Sequence, residues 1–287
     1  MPQRPRQRPR NRRPPEPREI ASGTYLLDVG SGLMRSNVYL VRSGSSWVLI
    51  DTGAAGCESP ILEAARSLFG SDGGPASILL THSHPDHAGC VRSLARAWEC
   101  PVYVHPGEMA MVSGDLTLLR PFASPLDRWV VFPLLRVMGQ KRTQAIVTKD
   151  RLADLVSPLD PESSPPGLPD WGVVPTPGHT PGHVAFFRRE DRVLVAGDAL
   201  LSIDLNSPFG FLLKRQRLSG PPWYTSSNWR EVKASVARLA DLEPDTLAAG
   251  HGLPITGPDT AALVRRFSAR FSGSSTGGAG GVRAGRA

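Results

Sequence analysis

Thr81-His82-Ser83-His84-Pro85-Asp86-His87 follows directly on an apolar run, Ser77–Leu80, and packs four ligand-type side chains into six positions. The apolar run has the length and composition of a buried strand. In an extended segment, residues two apart face the same way, so His82 and His84 are placed to grip one ion. Pro85 disfavours helical geometry at His84 and keeps the loop open. Asp86 then falls at the start of the next helix, with His87 turned in a different direction. Such a density of donors is hard to explain as packing, and a metal site is expected here.

Three further groups share the same setting. They are Pro177-Gly178-His179-Thr180-Pro181-Gly182-His183, Gly197-Asp198-Ala199 and Gly250-His251-Gly252. Each follows a strand or lies beside Gly, where backbone approaches a crowded centre closely. A lone His beside Gly is an ordinary loop residue; added to the first group, these supply enough nitrogen and oxygen donors for two ions. His105 sits in no motif and reads as structural.

The rest of the chain alternates strand-like and helix-like runs. Tyr25–Val29, Val38–Val41, Trp47–Ile50, Val102–Val104, Val184–Phe187, Val193–Ala196 and Thr246–Ala249 read as strands. Ile61, Leu62, Ala65, Leu68 and Phe69 mark one helical face, and Ala88, Val91, Leu94, Ala95 and Trp98 mark another. Asn228 with Glu231 three residues on forms a capping signal for a helix burying Trp229, Val232, Val236 and Leu239. Leu263, Phe267 and Phe271 line a last helix. Such interspersed runs predict a layered α/β sandwich. Residues 106–170 and 202–227 read as insertions; 157–170, SPLDPESSPPGLPD, discourages regular structure.

The 287 residues carry a formal charge of +7, which raises the question of nucleic acid. Its distribution answers most of it. Residues 1–19, an Arg/Pro-rich stretch, hold +5, residues 265–287 hold another +5, and the middle is left at −3. Residues 1–19 and the Gly-rich 273–287 are expected to be disordered tails, either solvated or serving an anionic partner. The body, 20–272, has no basic excess, so nucleic acid is not the expected partner. No apolar run reaches the ~18 residues of a spanning helix, and no secretory signal is visible. Cys57, Cys90 and Cys100 show no CxxC spacing and read as small core residues of a reducing compartment. A cytoplasmic protein with a small-molecule substrate and no membrane partner is expected, with a homo-oligomer left open.

The ordered set His82, His84, Asp86, His87, His179, Asp198 and His251 resembles the metallo-β-lactamase superfamily over roughly residues 23–271. The resemblance implies a four-layer αββα sandwich with metals at one edge. It implies that His82, His84 and His179 hold one metal and Asp86, His87 and His251 a second, with Asp198 bridging. Asp51 matches an acid that braces the metal loop, and His183 a position that is not a ligand. Imidazole and carboxylate without thiolate suit two Zn²⁺ per chain, with Fe or Mn as alternatives. Paired ions make hydroxide available at neutral pH, and Asp86 is expected to help orient it as a catalytic residue. Hydrolysis is the expected reaction.

Departures from the subfamilies narrow the choice. Asp198 in VAGDAL resembles the glyoxalase II and lactonase side rather than the lactamases proper. Glyoxalase II carries a helical domain after its last histidine, whereas 36 residues follow His251 here. Acyl-homoserine lactonases place a Tyr three residues after the bridging Asp; this chain has Leu201, with Tyr224 as a distant candidate. Mononuclear-iron persulfide dioxygenases carry Arg-Thr-Asp where this chain reads SIDLNSPFG. A small ester, thioester or lactone is the leading substrate class. The dioxygenase and a nucleic-acid-processing hydrolase are the alternatives. Phe122, Trp129, Phe132, Met138, Phe209, Phe211, Trp223 and Tyr224 give both insertions an apolar character, as wall of a pocket, as core or as a contact between copies. Lys214, Arg215 and Arg217 read as a solvated charge run or as a hold on an anionic group.

Overall fold

The computed structural model describes residues 15–71, 73–139, 142–143, 151–207, 216–273 and 282–283. Its first sheet runs in the order β1 (Arg18–Ala21), β2 (Thr24–Val29), β3 (Ser36–Ser43), β4 (Ser46–Ile50), β5 (Ser77–Leu79), β6 (Val102–Val104) and β7 (Val156–Pro158). β1 to β4 form an antiparallel meander, and β4 to β7 are parallel. The parallel part requires crossovers. Helix α1 (Glu58–Phe69) serves between β4 and β5, and α2 (Pro85–Ala88) with α3 (Val91–Trp98) between β5 and β6. Short helices α4 (Met109–Val112), α5 (Leu116–Leu119) and α6 (Phe132–Met138) lie between β6 and β7.

The second sheet is built from β8 (Trp171–Pro175), β9 (Val184–Arg188), β10 (Val193–Gly197), β13 (Thr246–Ala249) and β14 (Ile255–Thr256), in the order β14-β13-β10-β9-β8. Helix α7 (Trp229–Asp241) connects to the parallel strand β13, and α8 (Thr260–Gly273) follows. Asn228 caps α7 as its spacing predicts, its Oδ1 accepting from the backbone N–H groups of Arg230 and Glu231. A small third sheet joins β11 (Leu201–Ile203), β12 (Gln216–Ser219) and β15 (Val282–Arg283).

Strand alternation sorts the core into layers. Leu26, Tyr39, Val41, Val48 and Ile50 face Val184, Phe186, Val193, Val195 and Ala248 between the two sheets. Their chain neighbours Leu27, Leu40 and Leu49 turn the other way, against Ile61, Ala65 and Leu94 of α1 and α3. On the far side Phe187, Leu194 and Leu247 pack on Val236 and Leu239 of α7 and on Leu263 and Phe267 of α8. The result is the expected helix–sheet–sheet–helix sandwich. The carboxyl ends of the parallel pairs β4/β5 and β10/β13 open on one edge, where the loops carrying Asp51, His82–His87, Asp198 and His251 begin.

Several boundaries differ from the sequence reading. The helix expected through Ala88–Trp98 is broken at Gly89-Cys90. A Cβ at Gly89 would lie 2.4 Å from the Ala55 nitrogen and 2.7 Å from the Ala54 carbonyl carbon, so this glycine permits close backbone approach. Residues 106–170 are not one insertion: β7 pairs with β6, and Leu159 and Leu168 are buried between the sheets. Within 202–227, β11 and β12 are paired strands and Leu218 joins the core under α7 and α8. Ordered structure starts before residue 20, with Arg18 and Glu19 in β1. Residues 1–14, most of 274–287, and Phe209, Phe211, Lys214 and Arg215 lie outside the described residues. Among the described residues, the three cysteines are free thiols, and no helix is long and apolar enough to cross a membrane.

Candidate metal centre

The loop after β5 is held extended at His84 (φ −63°, ψ 150°), and Pro85 opens α2. Asp86 and His87 therefore lie in the first turn of α2, where the His87 and Ala88 N–H groups both donate to the His84 carbonyl. His179 comes from the turn between β8 and β9, Asp198 from the end of β10, and His251 from just past β13. All seven residues singled out in the sequence converge. His82 Nε2 and His84 Nδ1 approach to 3.1 Å. His179 Nε2 lies 3.5 Å from Asp198 Oδ2, and His87 Nε2 3.3 Å from Asp198 Oδ1. His251 Nε2 is 3.3 Å from Asp86 Oδ2, 3.4 Å from Asp198 Oδ2 and 3.4 Å from His87 Nε2. Three donor groups able to hold a cation result: His82, His84 and His179; His82, His87 and Asp198; and Asp86, His87 and His251.

In four of the histidines the other ring nitrogen is engaged, which fixes the tautomer. Thr81 Oγ1 donates to Asp51 Oδ2 at 2.8 Å and accepts from His82 Nδ1 at 3.0 Å. His87 Nδ1 donates to Asp51 Oδ2 at 2.8 Å. Ser226 Oγ donates to the Pro222 carbonyl and accepts from His179 Nδ1 at 3.1 Å. His251 Nδ1 donates to the Arg35 carbonyl at 2.7 Å. Each arrangement aims Nε2 inward. Asp51 serves two of these bonds and accepts from the Thr81 N–H as well, from a left-handed backbone position (φ 60°). That conformation is uncommon for a non-glycine residue and is held here by surrounding bonds.

The cluster has the properties of a cation site. His179 Nε2 and Asp198 Oδ1 are buried without a hydrogen-bond partner. Such orphans carry a desolvation cost unless something else satisfies them. A Cβ at Gly250 would sit 2.2 Å from Asp198 Oδ1, so the space beside this carboxylate needs a glycine. Burial, reinforced by neighbouring imidazoles, holds the His82 and His179 pKa values well below the usual range. Burial also opposes protonation of His87 and His251, but Asp198 and Asp86 outweigh it; His87 is held well above the usual value and His251 is pushed up to about 10. Neutral nitrogen donors on one side and carboxylates demanding positive charge on the other are the donor set that dications take.

The metallo-beta-lactamase superfamily model matches residues 31–251, which span all of these donors. The chain belongs to the metallo-β-lactamase superfamily. A probable metallo-hydrolase of Bacillus subtilis (strain 168), YflN, is 34% identical over 257 residues, covering 88% of this chain and 93% of the relative. A solved structure, TTHA1623 in a di-iron-bound form, is 28% identical with a TM-score of 0.52, over 80% of this chain and 94% of its own. The metallo-beta-lactamase family protein TTHA1429 from Thermus thermophilus is 24% identical with a TM-score of 0.59, over 88% of this chain and 79% of its own. This superfamily member is a metal-dependent hydrolase, and its clustered His and Asp donors indicate a dinuclear metal site.

Other residues support the superfamily site without standing out in the sequence. Glu108 is fully buried; its Oε2 accepts from the N–H and Oγ of Ser83, and its Oε1 accepts from the Gly182 N–H. One carboxylate thus ties the His82–His84 loop to the loop carrying His179. Asn37 Nδ2 donates to the carbonyls of Ala249 and Gly252, bracketing His251, and Ser36 Oγ donates to the Asp86 carbonyl. His183 is engaged at both nitrogens: Nδ1 pairs with Thr176 Oγ1, and Nε2 accepts from the Asp198 N–H. It orients the Asp198 turn. His105 accepts from the Gly107 N–H as a local cap.

Glu108→Ala strands three donors at once. We expect a stability loss of about 1–3 kcal/mol by chemical denaturation. Metal affinity should fall roughly 10–100-fold, as for other outer-shell deletions, when measured by titration with a competing chelator. Unchanged affinity would show that the two loops keep their places without this carboxylate.

Proposed function

We propose that the protein is a dinuclear hydrolase of a small ester, thioester or lactone, on the glyoxalase II and lactonase side of the superfamily. His82, His84 and His179 would hold one ion and Asp86, His87 and His251 the second, with Asp198 available to both. The observation that carries this reading is the convergence of seven donors from both sheets, with inward Nε2 atoms whose tautomers are fixed from behind. Zinc is the ion we favour for an imidazole and carboxylate set without thiolate; iron is the alternative, given the di-iron form of TTHA1623. When bound, such ions lower the pKa of water toward neutrality and polarise a carbonyl oxygen.

The chain's own residues complete the chemistry. Asp86 is the more exposed of the two central carboxylates, with a side chain 18% accessible against 5% for Asp198. It therefore faces the approach path, where it orients the nucleophile and receives its proton. Tyr224 is half-buried, and burial, with the Asp198 and Asp86 charges, raises the pKa of its hydroxyl. It stays a hydrogen-bond donor for an incoming carbonyl oxygen or leaving group. The segment 221–224 adjoins His179 through Ser226, and its exposed Trp223 and half-buried Tyr224 offer aromatic surface to an apolar acyl group. Arg35, whose carbonyl holds His251, has its guanidinium paired with Asp28. It is not free to receive a phosphate, and a neutral substrate fits better than a phosphodiester.

The test is metal analysis of the purified protein with hydrolysis assays on a lactone, a thioester and a phosphodiester, and oxygen uptake measured in parallel. About two ions per chain with metal-dependent lactone or thioester hydrolysis is the expected result. One iron with oxygen consumption on a persulfide would overturn it in favour of the dioxygenase. Phosphodiester cleavage alone would make the protein a nucleic-acid-processing hydrolase.

A further inference from the structure

The helical stretch between β6 and β7 exposes apolar surface that nothing in the hydrolytic site uses. A continuous helix runs from Pro125 through a wide turn at Asp127–Val131 into α6. Leu126, Val130, Leu134 and Val137 follow one another at helical spacing, and all four are exposed, as is Trp129. Trp129 is 81% accessible and Val137 85%. Scattered apolar side chains at a surface need no explanation, but a contiguous stripe on one helix marks a face that binds something.

The charges around the stripe say what. Arg120, Arg128 and Arg136 are exposed, and none has an ion-pair partner among the described residues. The acid within the helix, Asp127, is turned back, its Oδ2 accepting from the N–H and Oγ of Ser124. Lys141 and Arg142 follow in sequence. A second copy packed helix to helix on this face would bring arginines together, with Asp127, the helix's own acid, already engaged by Ser124. An apolar protein groove would cover Trp129 and Val137 but leave the cations unmatched. An anionic bilayer surface satisfies both, with the acyl boundary for the apolar stripe and headgroup phosphates for the arginines. Tryptophan is favoured at that depth. The helix, about 21 Å long, is too short to span and of a length to lie flat.

We propose that the helix over residues 125–138 seats the protein on an anionic lipid bilayer, lying in the plane of the interface. The lack of a spanning helix does not bear on this mode of attachment. It is also independent of the hydrolytic reading, since none of its residues belongs to the metal cluster.

The test is flotation of the full-length protein with vesicles of phosphatidylcholine alone or mixed with phosphatidylglycerol. Binding to the anionic vesicles only, weakening as salt rises, is expected. The double variant Trp129→Asp/Val137→Asp should lose binding by more than about ten-fold. Its melting temperature should not change, because both side chains are exposed. Arg128→Ala and Arg136→Ala should each weaken binding by about five-fold. Deleting residues 1–14 should leave binding to the anionic vesicles in place. No association with anionic vesicles would overturn the proposal, as would binding that survives the double variant or vanishes with residues 1–14. A dimer that the double variant converts to monomer, without vesicle binding, would assign the face to a second copy.

Discussion

His84→Ala is expected to lower kcat/KM for the hydrolysed substrate by roughly 10³-fold, the upper range for removing a principal electrostatic contributor. The substitution takes away Nδ1, which lies 3.1 Å from His82 Nε2 and completes the group with His179. His84 is only half-buried, so little packing is lost with the ring. In the unloaded protein its removal also relieves the crowding of imidazoles around His82, whose pKa is held down by burial and by His87 and His84. The expected signature is therefore split: metal content falls, activity falls, and the chelator-treated protein melts no lower than the wild type. Adding metal should raise the melting temperature of the wild type, because a ligand bound by the native state alone stabilises it, and should raise the variant's far less. Equal metal content and equal activity in the variant would remove His84 from the centre and with it the proposed assignment of ions.

How much of this was readable in advance follows from how local each feature is. The His82–His87 cluster is contiguous, so its spacing alone exposes it. Asp198 and His251 each sit beside a glycine at a strand end, which leaves a trace in the sequence. Glu108 leaves none. Its partners Ser83 and Gly182 are 25 and 74 residues away, and PGEMA around it has no periodicity. Ser226, in TSSN, looks like any polar turn until the fold brings it 47 residues back to His179. Among the strands, the continuous apolar runs around Val38 and Val193 were visible because both faces are covered, but that same coverage hides which side chain faces which layer. The alternation of Tyr39 and Leu40 acquires meaning only once two sheets and two helical layers exist. β7 was hidden by its shortness and its proline; its place at the end of the parallel series, beside β6, is set by tertiary pairing.

Gly250→Ala tests the centre from the opposite direction, by filling space and removing no donor. Its φ is not among the positive ones, so alanine fits the backbone and any effect is spatial. The added Cβ would meet Asp198 Oδ1 at 2.2 Å, His87 Cε1 at 2.9 Å and the Gly197 carbonyl carbon at 3.0 Å. The backbone cannot easily retreat. The Gly250 N–H donates to the Gly197 carbonyl at 2.7 Å, and its own carbonyl accepts from the Asn37 N–H at 2.8 Å, so both sheets hold it. The carboxylate must move, and Asp198 is the group that two ions would share. We expect metal content to fall below that of the wild type and kcat/KM to drop by roughly 10²- to 10³-fold. The overpacking should cost about 1–3 kcal/mol of stability. Gly172→Ala on β8 is the matched control: the nearest atom to its Cβ is the Phe187 carbonyl oxygen at 3.9 Å, so stability and metal content should not change. A Gly250→Ala protein with full metal content and activity would mean that the carboxylate of Asp198 has room to spare. The orphaned Oδ1 would then no longer mark the place of an ion.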